Sequence, residues 1–154
     1  MTATQPLLSL LAHAERERNG AMSEAKRIEL EHRNTLRQAE QLLAYRSDYE
    51  QRWSARFSHS GGIDIVHCYQ GFMDRLGQAI EAQLRVTQMA AHRLERAQVE
   101  WQQQEIRVAS IRKLLERRGI EARSADGRRE QKQLDEHAAR ASWNRGAGAA
   151  LSPL

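Results

Sequence analysis

The feature that most constrains this chain is one breaker cluster near its middle, Ser58-His59-Ser60-Gly61-Gly62-Ile63-Asp64. Each of the two adjacent glycines costs a helix about 1 kcal/mol relative to alanine, and the serines and Asp64 favour local backbone hydrogen bonds. The only prolines are Pro6 and Pro153, so no proline interrupts the long stretches on either side of the cluster. We therefore expect two long helices that fold back on each other at residues 58–63.

Apolar residues on both sides of this turn recur at spacings of three and four, which is typical of a coiled-coil seam. Asp64 is the expected N-cap of the second helix. The predicted seam of the first arm comprises Leu7, Leu11, Ala14, Arg18, Ala21, Ala25, Ile28, His32, Thr35, Ala39, Leu42, Arg46, Tyr49 and Trp53. That of the second arm comprises Tyr69, Met73, Leu76, Ile80, Gln83, Thr87, Ala90, Leu94, Ala97, Trp101, Gln104, Val108, Ile111, Leu115, Arg118 and Ala122.

The pattern predicts an all-α protein in which two long helices form an antiparallel coiled-coil hairpin, with arms at about 7–57 and 64–143. A turn centred near residue 61 pairs residues whose numbers add to about 121. Leu7 then faces a position close to Leu114, so the second helix is the longer one and continues without a partner from about Leu115. We expect a single domain over residues 1–145 and a disordered tail at 146–154.

The excess of positive charge lies at the C-terminal end. Residues 110–154 contain 10 Lys and Arg against 6 Asp and Glu, which accounts for the net charge of +4, whereas residues 1–109 are neutral. A basic end favours an acidic protein partner, nucleic acid or an anionic membrane, and a solvated helix face is the alternative. The single cysteine, Cys68, and the absence of a long apolar run predict a soluble intracellular protein.

Catalytic and metal-binding patterns are not found in the sequence. It contains no phosphate-binding glycine loop with its lysine and no paired cysteine motif. His59, His67 and Cys68 lie near one another at the turn but lack the usual spacing of metal ligands. We expect neither an enzyme nor a metal or other cofactor, because a two-helix rod has no enclosed pocket.

The last third of the first arm has more large apolar residues than one seam can bury, and a single partner helix leaves part of them open. Such a surface is typical of an interaction site, and the alternative is that the second arm and the turn cover it. The residues concerned are Leu36, Leu42, Leu43, Tyr45, Tyr49, Trp53 and Phe57.

Four segments together resemble the FliJ family, small coiled-coil proteins of the flagellar type III export apparatus, over about residues 5–140. The first two are Leu7-x-x-Leu10-Leu11 followed by Glu15-Arg16-Glu17-Arg18, and Gln38…Leu42…Tyr45-Arg46…Tyr49…Arg52. The others are Tyr69-Gln70-x-Phe72-x-x-Arg75-Leu76-x-x-Ala79-Ile80, and Glu116-Arg117-Arg118 with Arg129-Glu130-Gln131-Lys132-x-x-Asp135-Glu136-x-Ala138-x-Arg140.

The resemblance implies a rod similar to the γ stalk of rotary ATPases, placed in the central opening of a hexameric export ATPase and promoting its assembly and activity. It also implies contact with the cytoplasmic linker of the export gate membrane protein and binding of empty export chaperones, with neither nucleic acid nor a small molecule as ligand. Such a protein is cytoplasmic, peripherally associated with the inner membrane at the flagellar basal body, and needed for motility. The alternatives are a stalk protein of a virulence type III secretion system and a basic coiled-coil protein that binds nucleic acid.

The resemblance also implies two sets of partner-binding residues. The predicted ATPase contacts, at the open ends of the rod, are Leu7, Leu11, Arg112, Arg117 and Arg118. The predicted gate contacts are Gln38, Leu42, Tyr45, Tyr49, Phe72, Leu76, Ala79 and Gln83. Leu42, Tyr49 and Leu76 also fall on the predicted seam. We expect them to form an outward edge, with Ala39, Leu43 and Arg46 in the seam instead.

Overall fold

The structure, a computed structural model, describes residues 4–57 and 62–150. It contains two helices in these ranges and no strand, with α1 at Thr4–Phe57 and α2 at Ile63–Ala150. The helices pack against each other in opposite directions: Arg18 contacts Glu105, whereas Gln38, farther along α1, contacts Gln83, which lies earlier on α2. The predicted all-α antiparallel hairpin with a longer second helix is therefore confirmed.

The first helix starts earlier than the sequence predicts. The expected start is Leu7, but α1 begins at Thr4 and includes Pro6 in its first turn. Proline is tolerated there because the first four backbone N–H groups of a helix have no partner within it, so the missing donor costs nothing.

The second helix is capped by a different residue from the predicted one. The carbonyl oxygen of Gly62 accepts a hydrogen bond from the backbone N–H of Val66 at 3.2 Å, and α2 begins at Ile63. Gly62 is therefore the N-cap, and the prediction of Asp64 is wrong because Asp64 already lies within the first turn. At this position the positive end of the helix dipole stabilises the carboxylate of Asp64. Residues 58–61 of the predicted turn lie outside the described residues.

The C-terminal boundary also differs from the expectation. The helix α2 continues through Gly146 to Ala150, where the sequence predicts the beginning of a tail. Ala147, Ala149 and Ala150 are strong helix formers, whereas Gly146 and Gly148 each cost a helix about 1 kcal/mol relative to alanine. Residues 151–154 lie outside the described residues.

The chain divides into two compact units. The turn unit comprises residues 12–107, and the terminal unit comprises the start of α1 up to Leu11 together with α2 from Val108 onward. In the turn unit the buried residues are Ala14, Ala25, Ile28, Ala39, Leu76, Ile80, Thr87 and Ala90. In the terminal unit, Val108 and Ile111 are the buried ones among the described residues.

All of these buried residues belong to the predicted seam. Every seam position from Leu7 to Trp53 and from Tyr69 to Leu115 is buried or half-buried, which confirms the periodicity over both helices. The last two predicted positions, Arg118 and Ala122, are exposed, as is every described residue from Glu116 onward. Four of the eight buried residues of the turn unit are alanines, so its seam buries little apolar area per residue.

The surface of the turn unit carries short-range ion pairs. Arg27 pairs with Glu24 and Glu31, and Arg33 pairs with Glu29, all within α1. The hydrogen bond from Arg27 holds the pKa of Glu24 below its ordinary value. Desolvation opposes this shift, and the charge of the guanidinium group adds to it. Such exposed pairs support a helix only weakly, because water and salt screen them.

Gly20 is an interior position of α1 at which alanine is expected to stabilise the protein. A Cβ built there meets nothing within 4 Å, so the substitution Gly20→Ala adds no strain. We expect a gain of about 1 kcal/mol and a rise of about 3 °C in Tm, followed by circular dichroism. Ala12→Gly, at another exposed position of α1, is the reverse control and should lower Tm by a similar amount. Equal Tm values for all three proteins would contradict a continuous α1.

Candidate functional site

Five aromatic side chains meet near the turn and form what we call the aromatic cluster. Tyr45, Tyr49 and Trp53 recur every four residues on α1, and Tyr69 and Phe72 are three apart on α2, so each set lies on one helix face. The ring centroids of Tyr49 and Phe72 are 4.4 Å apart, and those of Trp53 and Tyr69 are 4.8 Å apart. The cluster therefore joins the two helices across the seam.

The rings of the aromatic cluster differ in how much surface they leave open. Tyr49, Trp53, Tyr69 and Phe72 are half-buried, with Tyr49 stacked on Tyr69 at 6.0 Å and an interplanar angle of 16°. Tyr45 is 51% exposed and meets Phe72 edge to face, at 6.3 Å and 71°. The second helix thus covers part of Tyr49 and Trp53, whereas Tyr45 stays exposed. The side chain of Phe57 lies outside the described part of the chain.

A polar contact between the helices lies farther from the turn. The Nε2 group of Gln83 donates to Oε1 of Gln38 at 3.1 Å and to the backbone carbonyl oxygen of Thr35 at 3.1 Å. The pairs Gln38–Gln83 and Tyr49–Phe72 both have residue numbers that add to about 121, the register expected for a turn near residue 61. The structure therefore brings four of the predicted gate residues together in two pairs across the helices.

The predicted gate residues do not, however, form one outward edge. Gln38, Tyr45 and Ala79 are exposed, Leu42, Tyr49, Phe72 and Gln83 are half-buried, and Leu76 is buried. The predicted outward position of Leu76 is wrong, since its side chain is only 8% exposed, and so is the predicted burial of Leu43, which is 38% exposed. Ala39, Leu42, Arg46 and Tyr49 continue the seam at spacings of three and four, and Leu43 is turned about 100° away from Leu42.

The sequence reasoning placed Trp53 and Tyr69 on the seam, and Trp53 among the surplus apolar residues, but it missed the contact of the two rings. The rule that partners add to about 121 places Trp53 opposite position 68, next to Tyr69, so the register held a signal for this contact.

The predicted ATPase residues all belong to the terminal unit, whereas all predicted gate residues belong to the turn unit. Leu7 and Leu11 are half-buried on α1, and Arg112, Arg117 and Arg118 are exposed on α2. The two sets of candidate contacts therefore occupy separate units of the chain.

The described residues were also searched for clusters of metal ligands and for membrane-spanning stretches. Over residues 4–57 and 62–150, no three potential metal ligands among His, Cys, Asp and Glu come together. His67 and Cys68 lie on the first turns of α2, Cys68 being exposed, and His59 lies outside the described residues. In the same ranges, neither helix has a stretch of the length and hydropathy needed to cross a bilayer.

A comparison with known protein families finds one that covers nearly the whole chain. The model of the family described as "Flagellar FliJ protein" matches residues 3–147. The chain has no match among curated proteins or among solved structures. The two-helix hairpin and a family match of this extent lead to the same conclusion, and the chain belongs to the FliJ family, which makes it a flagellar export-related protein.

Proposed function

We propose that this protein is a coiled-coil stalk that binds the hexameric export ATPase, promotes its assembly and activity, and links it to the cytoplasmic linker of the export gate. In the same role it escorts empty export chaperones. The observation that carries the proposal is the aromatic cluster. In it the exposed Tyr45 packs against Phe72, and Phe72 packs against Tyr49 of the other helix.

The chemistry of the cluster fits a protein-binding surface. Interface hot spots are enriched in tyrosine and tryptophan, because these rings bury a large area with few rotatable bonds. Tyr45 is held against Phe72 and Tyr49, so little side-chain entropy is lost when a partner covers it. Exposed Gln38, two turns before Tyr45 on the same face of α1, extends this surface with a polar contact.

The terminal unit supplies the proposed ATPase contact. Residues 110–154 carry the whole charge excess of the chain, 10 basic against 6 acidic residues, and Arg112, Arg117 and Arg118 are exposed there. Positive charge of this kind accelerates and orients docking to an acidic surface such as the lumen of the ATPase ring. Since the proposed gate contacts belong to the other unit, each contact can be changed separately by mutation.

Two other functions receive less support. A nucleic-acid binder uses aromatic rings and cations together for base stacking, but here the aromatic cluster and the basic excess belong to different units. A virulence-secretion stalk shares the architecture, but the matching family is flagellar. We therefore place the protein in the cytoplasm, peripherally attached to the inner membrane at the flagellar basal body, where it serves motility.

The test uses the full chain with its purified flagellar partners. We expect an equimolar amount of the protein to raise ATP hydrolysis by the export ATPase, and the protein to bind the isolated gate linker in a calorimetric titration. An unrelated antiparallel coiled coil of similar length and net charge is the control and should do neither. The proposal would be contradicted if the protein neither raised ATP hydrolysis nor bound the gate linker.

A further inference from the structure

The turn unit has two long edges, and these differ in the residues that they present. Tyr45 and Phe72 each stand directly before a seam residue, Arg46 and Met73, and their rings meet at 6.3 Å on one edge. A right-handed helix turns by about 100° per residue, so the residues that directly precede the seam converge on one edge of an antiparallel pair. The residues that directly follow the seam therefore converge on the opposite edge.

Three leucines lie on this opposite edge, and we call them the leucine edge. Leu36 and Leu43 of α1 and Leu84 of α2 each follow a seam residue directly. The register in which residue numbers add to about 121 places Leu84 opposite position 37, at a level between Leu36 and Leu43. The three side chains are 40%, 38% and 47% exposed, in the order Leu36, Leu43 and Leu84, so they form an apolar patch that the two helices leave partly open.

Small residues on α2 leave space beside the leucines. Gly77 and Ala91 lie seven residues before and after Leu84, and each also follows a seam residue directly. The register places Gly77 opposite position 44, next to Leu43, and a Cβ built on Gly77 meets nothing within 4 Å. The edge therefore alternates between large and absent or short side chains, which is the surface into which the side chains of a further helix pack.

The outer margin of the leucine edge is acidic. Glu40 on α1 and Asp74 and Glu81 on α2 lie one turn away from the edge residues, and all three are exposed. Arg33, which also lies at this margin, is paired with Glu29 at 2.8 Å, so its positive charge is offset. A partner that covers the leucines is therefore favoured when it brings lysines or arginines to the margin.

The size and charge of the patch favour a single helix over a second copy of this chain. A stable dimer buries about 800 Å² on each partner, and three leucines that are already more than half covered offer only a small part of that area. A symmetric dimer would also bring two acidic margins together. An amphipathic helix, in contrast, binds through a few apolar anchors at spacings of three, four and seven.

We propose that the leucine edge is a docking groove for one amphipathic helix of another protein. That helix packs its apolar side chains among the three leucines and places lysines or arginines against Glu40, Asp74 and Glu81. None of these residues belongs to the gate or ATPase contacts of the proposed function, and the edge lies opposite Tyr45. The inference therefore goes beyond the proposed function and can be tested separately from it.

The experiment measures binding of the full-length protein to labelled synthetic peptides by fluorescence anisotropy. The probe is a helical peptide of about 20 residues, or between five and six turns, with leucines at spacings of three and four and lysines beside them. One control peptide has glutamates in place of the lysines, and a second has the same composition as the probe without the periodic spacing. We expect the probe to bind at least about tenfold more tightly than either control. Equal binding of the three peptides would overturn the proposal.

Alanine variants locate the binding site on the protein. We expect Leu43→Ala and Leu84→Ala each to weaken binding of the probe about fivefold, and the double variant to weaken it about 20-fold. Leu30→Ala and Met89→Ala remove exposed apolar side chains elsewhere on α1 and α2 and should change the affinity less than about twofold. An unchanged affinity in the double variant would place the peptide outside the leucine edge and overturn the proposal.

Gly77→Arg separates binding from stability. Arginine is a better helix former than glycine, so Tm should rise by about 3 °C, while its long cationic side chain fills the space beside Leu43 and repels the lysines of the probe. We expect about tenfold weaker binding in this more stable variant. Gly119→Arg, the same change at an exposed glycine of the terminal unit, should leave the affinity within about twofold. Equal affinities of the two variants would contradict a helix in this groove.

Sedimentation velocity tests the alternative occupant, a second copy of the chain. We expect the wild type and the double variant of Leu43 and Leu84 to sediment alike at every protein concentration. A dimer of the wild type that the double variant no longer forms would overturn the proposal in favour of self-association through this edge.

Discussion

Replacing Tyr45, Tyr49 and Phe72 together with alanine is expected to abolish binding to the export-gate linker while stimulation of the export ATPase continues. Each aromatic hot spot contributes about 2 kcal/mol or more, so loss of three rings lowers the affinity by more than about 1000-fold. The ATPase contacts that we propose belong to the terminal unit, whereas these three residues belong to the turn unit. Titration calorimetry with the purified linker and a steady-state ATPase assay provide the two measurements.

The triple variant alone does not separate binding from stability, because Tyr49 and Phe72 pack against each other across the seam at 4.4 Å. Tyr45→Ala makes this distinction, since the side chain is half open and its removal exposes little of the core. We expect about 30-fold weaker gate binding with a change in Tm of less than about 3 °C. Tyr45→Phe keeps the ring and should bind within about threefold of wild type.

Leu30→Ala provides the matched control for Tyr45→Ala, because Leu30 is an exposed large residue of α1 outside the aromatic cluster. We expect it to affect neither gate binding nor Tm. Gate binding that is equally strong in Tyr45→Ala and in the control would place the contact elsewhere on the chain, and the proposed role of the aromatic cluster would have to be abandoned.

The second large effect concerns the seam. Ile80→Ala is expected to lower the free energy of unfolding by about 3 kcal/mol, because Ile80 is only 3% exposed and its removal leaves a cavity between the helices. A seam rich in alanine has few large side chains, so the loss of one is a substantial part of the 5–15 kcal/mol that is typical of native proteins. Urea unfolding followed by circular dichroism measures this change.

Met89→Ala is the control for Ile80→Ala, because Met89 is an exposed side chain of similar size on the same helix. We expect a loss of less than about 0.5 kcal/mol for this variant. Similar losses for the two variants would mean that the seam does not run where the structure places it, and the assignment of Leu76 to the core would lose its support as well.

The burial of Leu76 changes how a gate-binding defect at this position is to be interpreted. Since Leu76 lies in the seam, Leu76→Ala weakens the packing of the two helices. It thereby also weakens the contact between Tyr45 and Phe72, which joins the two helices. Only a defect that persists well below the Tm of the variant would indicate direct contact with the gate. For the exposed residues Gln38 and Ala79, a binding defect can be interpreted directly.

The sequence by itself determined the two helices, their antiparallel register and the residues of the seam. Spacings of three and four repeat over both arms without an intervening proline, and a single glycine pair marks the reversal. A hairpin with one short turn has a single register, so the position of the turn also determines which residues of the two helices face each other. The contact of Gln38 with Gln83 confirms this register. Even the exposure of the chain after Leu115 follows from the unequal lengths of the arms.

Only the tertiary structure decided between the counted seam, which contains Leu42 and Leu76, and the outward edge that the resemblance implies for the same residues. Leu42 and Leu43 are neighbours of equal hydrophobicity, so composition does not distinguish them, yet Leu42 is half-buried and Leu43 is open. The helix α1 turns by about 100° per residue, and the interface with α2 is one strip wide, so the rotation of each helix about its own axis selects the buried neighbour. The same rotation buries Leu76 and leaves Tyr45 at the edge, and it depends on packing between the helices rather than on either helix alone.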